Sequence, residues 1–276
     1  MKNRIIVAVI CVPVFFIVLF YLPPYILTAL VSLICAISAY ELLHTVVAKG
    51  NERATIYAVF SAAIIPVGAY FDLSALVFPA VLLVLMSFMF FEAITVFRKK
   101  RPIPFTQILI TLFGGAIIPY MLSSLVSLKN MPEGQLFVLL PVISAFITDA
   151  GAYFSGVLLG RRKAFPLVSP KKTVEGCVGG LIIGTLAVTV YGMVLVFTTM
   201  HEVRVWAFIL LGFIGALMTE LGDLAFSLVK REYEIKDYGR LLPGHGGMLD
   251  RFDSMVFTAP AMYLLMSVVP AITIWG

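Results

Sequence analysis

Long apolar runs separated by short polar breaks recur along the whole chain, near residues 5–22, 25–47, 54–71, 74–97, 106–127, 135–158, 175–199, 205–229 and 252–274. Each run approaches the ~20 predominantly apolar residues that a helix needs to cross a bilayer core. The pattern predicts an all-α, polytopic integral membrane protein of about nine transmembrane helices. About five of them fall in an N-terminal part, 1–130, and about four in a C-terminal part, 131–276, which carries the polar loops. The longest polar segment, Arg231 to Leu249, is too short to bury a core of its own.

The basic residues orient the helices. Loops on one side of the membrane, together with the segment before the first run, hold 18 of the 20 lysines and arginines, and only Lys129 and Arg204 fall on the other side. The positive-inside rule then places the N-terminus and the basic loops in the cytoplasm. Met1-Lys-Asn-Arg4 and the run that follows resemble a signal peptide, but no small-x-small cleavage site precedes Leu22-Pro-Pro24, so an uncleaved first helix is expected.

Composition agrees, with 61% hydrophobic and 13% charged residues, far from the balance of a soluble domain. The net charge of +5 is accounted for by the cytoplasmic loops and calls for no nucleic-acid partner. Cys11, Cys35 and Cys177 stand singly in apolar stretches and are expected to pack between helices. Gly156, Gly160, Gly176, Gly179, Gly180, Gly184, Gly212 and Gly215 are expected to allow close helix contact. No internal repeat of the kind found in many secondary transporters is visible.

Acidic residues change the picture. Glu41, Glu92, Asp149, Glu175, Glu220, Asp223 and Asp253 lie within or just inside apolar runs. A charge at the bilayer centre costs about 2.5–3.5 kcal/mol, so several together would rival a domain's whole stability of about 5–15 kcal/mol. They must face a wet cavity, basic partners or a metal. The topology places all of them in the cytoplasmic half of their helices. Glu41 and Glu92, near basic loops, read as snorkelling or ion-paired structural residues.

On the helix over 205–229, Asp223, Ser227 and Lys230 recur at helical spacing and share a face, which Glu220 extends inward. The loop after it contains Lys236, Asp237, Gly244, His245, Gly246 and Gly247, and Asp250, Arg251 and Asp253 open the last helix. Asp223, Asp250 and Asp253 are hard oxygen donors suited to Mg²⁺; the alternative for the last two is helix capping and pairing with Arg251. The glycines could offer N–H groups to a phosphate or simply make a turn. His245 suits a phosphate contact, proton transfer or a structural hydrogen bond. In Ser169-Pro-Lys171-Lys172-Thr173-Val-Glu175, Ser169 or Thr173 is positioned to cap a helix, and the lysines are either phosphate binders or ordinary positive-inside residues. Asp149, one turn before Tyr153, is placed to orient a lysine or a metal-bound water, or to pair with a structural cation.

Ser227-Leu-Val-Lys230-Arg231, Lys236-Asp237-Tyr-Gly239 and Pro243-Gly-His245-Gly246-Gly247-Met-Leu-Asp250-Arg251-Phe-Asp253 resemble the signature of phosphatidate cytidylyltransferases, also called CDP-diacylglycerol synthases, with no departure across the 27-position span 227–253. Asp149-Ala-Gly151-Ala152-Tyr153-Phe154 and Ser169-Pro-Lys171-Lys172-Thr173-Val-Glu175-Gly176 are similar to two further family stretches, although Ala150 stands where the family has a small hydroxyl residue. The resemblance carries no role to Glu220, and the N-terminal half resembles the family only in hydropathy.

What the resemblance implies is transfer of CMP from CTP to phosphatidic acid, giving CDP-diacylglycerol and pyrophosphate, with a divalent metal required. Mg²⁺ is expected, with room for a second cation, on Asp223, Asp250 and Asp253. Lys230 and His245 join these three as catalytic candidates. Lys171, Lys172, Ser227, Arg231, Lys236, Asp237, Gly246, Gly247 and Arg251 are substrate-binding candidates, followed by Asp149, Tyr153, Ser169 and Glu175. The partners implied are CTP, phosphatidic acid and membrane lipids, with homodimer formation open. The setting implied is a bacterial plasma membrane, with the site facing the cytoplasm. A CTP-dependent lipid kinase and a cation-coupled transporter are the competing readings.

Overall fold

The computed structural model describes residues 17–19, 22–47, 52–97, 102–199, 202–241, 246–269 and 271–273. The protein is an all-α polytopic membrane protein: among the described residues, seven helices are long and apolar enough to cross a bilayer. These are α1 (Pro24–Val46), α2 (Glu52–Tyr70), α3 (Ser74–Phe97), α4 (Phe105–Asn130), α5 (Gly134–Leu159), α6 (Val174–Thr198) and α7 (Val205–Glu232). An eighth helix, α8 (Leu249–Val268), carries Asp250, Arg251 and Asp253 in its first turns and is not among the seven. The first expected run, 5–22, lies mostly outside the described residues; residues 17–19 of it are helical.

The structure departs from the sequence pattern in two places. The last apolar run predicts a helix through 274, but α8 stops at Val268, and Ile272–Thr273 (β4) pairs antiparallel with Glu202–Val203 (β3). Pro270, which cannot continue a helix, follows the break in sequence. The polar segment before α6 is not plain loop either. Lys163–Phe165 (β1) and Ser169–Thr173 (β2) form an antiparallel hairpin, with Lys163 opposite Thr173 and Phe165 opposite Ser169. Ser169 therefore sits in a strand, and Thr173 is the cap: its hydroxyl accepts the Gly176 N–H at 3.1 Å, satisfying one of the orphan donors of α6.

The chain forms two compact units, one of residues 1–135 and 235–252, the other of 136–234 and 253–276. In the first, α1 and α2 pack around Leu27, Val31, Leu42, Leu43, Ala58 and Ile65, all buried. Between Phe113 and Ile117, α4 widens into one π turn. A side chain at Gly114 would stand 2.9 Å from Leu43, and one at Gly115 would stand 2.8 Å from the Ala58 backbone, so the turn and its glycines let α4 approach its neighbours closely.

The second unit uses the small-residue contacts that the sequence suggested. A Cβ at Gly180 would lie 2.8 Å from Ala152, which sets how close α6 comes to α5, and one at Gly212 would lie 2.7 Å from the Thr185 carbonyl, which does the same for α7 and α6. Between α7 and α8, the buried hydroxyls of Thr219 and Thr258 hydrogen-bond at 2.9 Å. One turn further along, Gly222 lets α7 approach the Ser254 backbone, where an added Cβ would meet Ser254 Cα at 2.9 Å. These contacts set the positions of Asp223 and Asp253.

Candidate active site

Within the second unit the hairpin delivers Lys172 to a face of α7. Lys172 Nζ lies 2.7 Å from Glu220 Oε2 and 2.8 Å from Asp223 Oδ2. Both the lysine and Glu220 are largely buried, with side-chain exposures of 16% and 10%. Glu220 and Asp223 stand about one turn apart on α7, so one ammonium can bridge both. Burial works against the Lys172 charge, but the Asp223 and Glu220 carboxylates outweigh it and hold the ammonium above its ordinary range. Lys172 therefore stays cationic throughout the neutral range.

The rest of the α7 stripe continues outward. Ser227 Oγ donates to Asp223 Oδ1 at 3.5 Å, a long contact. Lys230 Nζ lies 3.7 Å from Asp253 Oδ2, and Asp253 Oδ1 accepts the Ser254 backbone N–H at 2.8 Å. Asp149 on α5 is within electrostatic reach of Asp223, Lys172, Asp253 and Glu220. Acids outnumber lysines in this cluster, and Glu220 Oε1 is buried with no hydrogen-bond partner among the described residues.

Glu220 is the residue that sequence reasoning undervalued. Its place on the inward extension of the stripe is visible in the sequence, but the resemblance is silent there, and the lysine that meets it comes from 48 residues earlier in the chain. Tyr153 is not drawn into the cluster; it is exposed and stacks edge-on against Phe154. Glu175 serves the hairpin, since its Oε2 accepts the backbone N–H groups of Arg161 at 3.0 Å and Arg162 at 3.2 Å. Arg231 does the same from α7, donating from Nε to the Val168 carbonyl at 3.1 Å. Lys171 is exposed.

The first unit holds the loop between α7 and α8. Asp250 Oδ2 accepts two of its backbone N–H groups, from Tyr238 at 2.8 Å and Gly247 at 3.0 Å. The Gly247 N–H is thus already committed to a carboxylate. Gly246 has φ +83°, which favours glycine, and an added Cβ would also sit 3.0 Å from Asp250 Oδ2. Glu41 on α1 reaches the same loop: its Oε2 accepts the Leu249 N–H at 2.9 Å, and side chains at Gly239 or Gly247 would overlap its carboxylate. The sequence pattern has Glu41 snorkelling or paired with a basic residue; instead it caps α8 from a distant helix. Glu92 keeps the expected ion pair, 3.7 Å from Arg53. Lys236, Asp237 and Arg251 are exposed, and His245 lies outside the described residues.

The donors fit a hard cation in kind, being carboxylate oxygens with an excess of negative charge. Among the described residues no three His, Cys, Asp or Glu side chains converge tightly enough to form a complete cage.

A model of the cytidylyltransferase family matches residues 2–269. The chain belongs to that family. Among similar proteins, the phosphatidate cytidylyltransferase of Staphylococcus haemolyticus is 40% identical over 134 residues, 49% of this chain and 50% of that one. The phosphatidate cytidylyltransferase of Staphylococcus saprophyticus is 39% identical over 138 residues, 50% of this chain and 52% of that one. That of Bacillus subtilis is 38% identical over 143 residues, covering 51% and 52%. The chain thus matches about half the length of these cytidylyltransferases.

Proposed function

We propose that this protein is a phosphatidate cytidylyltransferase, joining CTP and phosphatidic acid to give CDP-diacylglycerol and pyrophosphate in a bacterial plasma membrane, with its site facing the cytoplasm. The observation that carries the reading is the buried Lys172–Glu220–Asp223 cluster in a membrane-spanning member of the cytidylyltransferase family. A lipid phosphate and a polyphosphate are both anions, and the Lys172 ammonium, held between two carboxylates of α7, can meet either.

In this reading an oxygen of the phosphatidate phosphate attacks the α-phosphorus of CTP. The bond from that phosphorus to the bridging oxygen breaks, and pyrophosphate leaves with the electron pair. The attacking phosphate is already a nucleophile, so the protein supplies position and charge rather than a covalent intermediate. Lys172 and Lys230 neutralise phosphate oxygens, each oriented by its carboxylates, while Ser227 adds a donor beside Asp223. Lys171, Arg231 and Lys236, all exposed, draw the anions in; Lys171 and Lys236 stay available to bind them. Asp250, by accepting the Tyr238 and Gly247 N–H groups, orders the loop that contains Lys236 and Asp237. Asp223 and Asp253, with Asp149 nearby, would hold Mg²⁺, which when bound supplies positive charge to the phosphates and the departing pyrophosphate.

The test is incubation of detergent-purified protein with labelled CTP, phosphatidic acid and Mg²⁺, with and without chelator, following lipid-extractable cytidine and free pyrophosphate. Appearance of both, abolished by chelation, is the expected result. CDP release with a phosphorylated lipid would replace the transferase with a lipid kinase, and folded protein producing neither would overturn the assignment.

A further inference from the structure

The hairpin between α5 and α6 carries a feature that the catalytic reading does not use. Residues 161–173 contain five basic and no acidic side chains. One of the five, Lys172, turns inward to Glu220 and Asp223, while Arg161, Arg162, Lys163 and Lys171 remain exposed. At the turn, Leu167 is 91% exposed and Phe165 43%. Exposed apolar side chains are ordinary on a helix facing lipid, but these lie outside the membrane-spanning helices. An apolar tip flanked by basic residues is the composition of a segment that lies in a bilayer interface.

Chain continuity places the hairpin at that interface. It begins just after Leu159, where α5 ends, and leads directly into Val174, where α6 begins. From Lys163 to the turn is four residues, about 13 Å of extended chain at ~3.3 Å each, enough to cross the ~5–8 Å headgroup layer of one leaflet. Two tethers hold it close to the helix ends: Glu175 binds the Arg161 and Arg162 backbone, and Arg231 binds the Val168 carbonyl.

We propose that this hairpin is an interfacial anchor: Phe165 and Leu167 enter the lipid of the adjacent leaflet while Arg161, Arg162 and Lys163 take acidic headgroups. Its occupant is an anionic lipid surface, the partner that matches three exposed cations, Arg161, Arg162 and Lys163, beside an apolar tip. The proposal rests on the chain spanning a membrane and is independent of the reaction it performs.

The experiment uses Phe165→Trp as reporter in a full-length chain whose native Trp206 and Trp275 are changed to Phe, reconstituted in vesicles with and without phosphatidylglycerol. The introduced indole is expected to emit to the blue, to resist iodide, and to be quenched by lipids brominated near the glycerol end of the acyl chain, more strongly in anionic vesicles. Leu167→Glu should return the reporter to iodide and abolish the bromine quenching, and Arg162→Gln with Lys163→Gln should remove the preference for anionic lipid. Retained unfolding temperature in Leu167→Glu keeps that comparison interpretable. An indole open to iodide in anionic vesicles, or bromine quenching indifferent to Leu167→Glu, would overturn the anchor. Protection that tracks protein-to-lipid ratio would assign the tip to a second copy of the chain and overturn it equally.

Discussion

Replacing Glu41 by Ala tests whether a carboxylate on the first described helix holds the loop that carries most of the family signature. Glu41 is 5% exposed and Leu249, whose N–H it accepts, is fully buried. The N–H is one of the orphan donors at the start of α8, and it is buried away from bulk solvent. Leaving such a group unpaired costs about 1–3 kcal/mol. If that cost falls on the populated loop geometry rather than on global folding, turnover drops about 5- to 150-fold. Glu41→Gln keeps an acceptor of the same shape and should restore most of it.

The same geometry gives a sharper form of the test. A side chain at Gly239 would overlap Glu41 Oε1. Gly239→Ala alone should therefore be damaging, and much less so in a Glu41→Ala background, with a coupling of about 0.5–3 kcal/mol. Turnover of labelled CTP into lipid and thermal unfolding in detergent, measured on all four members of the cycle, separate a loop effect from a folding effect. Strict additivity of the two changes would refute the reasoning, as would a Glu41→Ala protein with unaltered turnover and unfolding temperature.

Other consequences follow from the second unit. Asp223→Asn should abolish cytidylyl transfer and, because Glu220 still pairs with Lys172, lower the unfolding temperature less than Lys172→Met does; full activity would remove this aspartate from the mechanism. Lys172→Met leaves Glu220 and Asp223 without their shared cation, a loss of about 3–5 kcal/mol typical of breaking a buried pair, read as a depressed unfolding temperature. Because the folded ammonium is held above its ordinary value of 10.5, its contribution is fully present below that value and fades only as pH rises through the raised one. The parent should thus lose none of the lysine's contribution as pH rises from about 6 to 9; a Lys172-dependent loss of stability on raising the pH through that window would contradict the pairing. Thr173→Ala removes the cap of α6 and should cost about 1 kcal/mol in a denaturation experiment, while Ser169→Ala, which removes no cap, should cost less.

Helices were legible because their signal is local: an apolar run of membrane length needs no knowledge of its neighbours, and the expected 74–97 coincides with α3. The hairpin was not, because Lys163–Phe165 is too short to show a period of two, and its partner strand contains Pro170 and two lysines, a composition that reads as loop. In the site, the spacing of Asp223, Ser227 and Lys230 disclosed a shared face because one helix supplies all three. The partners that give those residues their chemistry come from elsewhere. Lys172 reaches α7 from strand β2, and Glu41 reaches the loop across 208 residues of sequence.

Glu41 shows why the second kind of contact stays hidden. In sequence it is one acid in an apolar run, and the cost of burying it invites a search for a cation. Its structural partner is a backbone N–H, which every residue but proline carries and which therefore leaves no compositional trace. What marks the contact is on the other side: Gly239 and Gly247 have no side chain where the carboxylate sits. Those two glycines look like turn residues when read along the chain, yet each is also the space required by an acid on another helix. A buried carboxylate without a basic partner, together with glycines in a loop of no obvious turn type, is thus a joint signal, and either half alone points to the wrong cause.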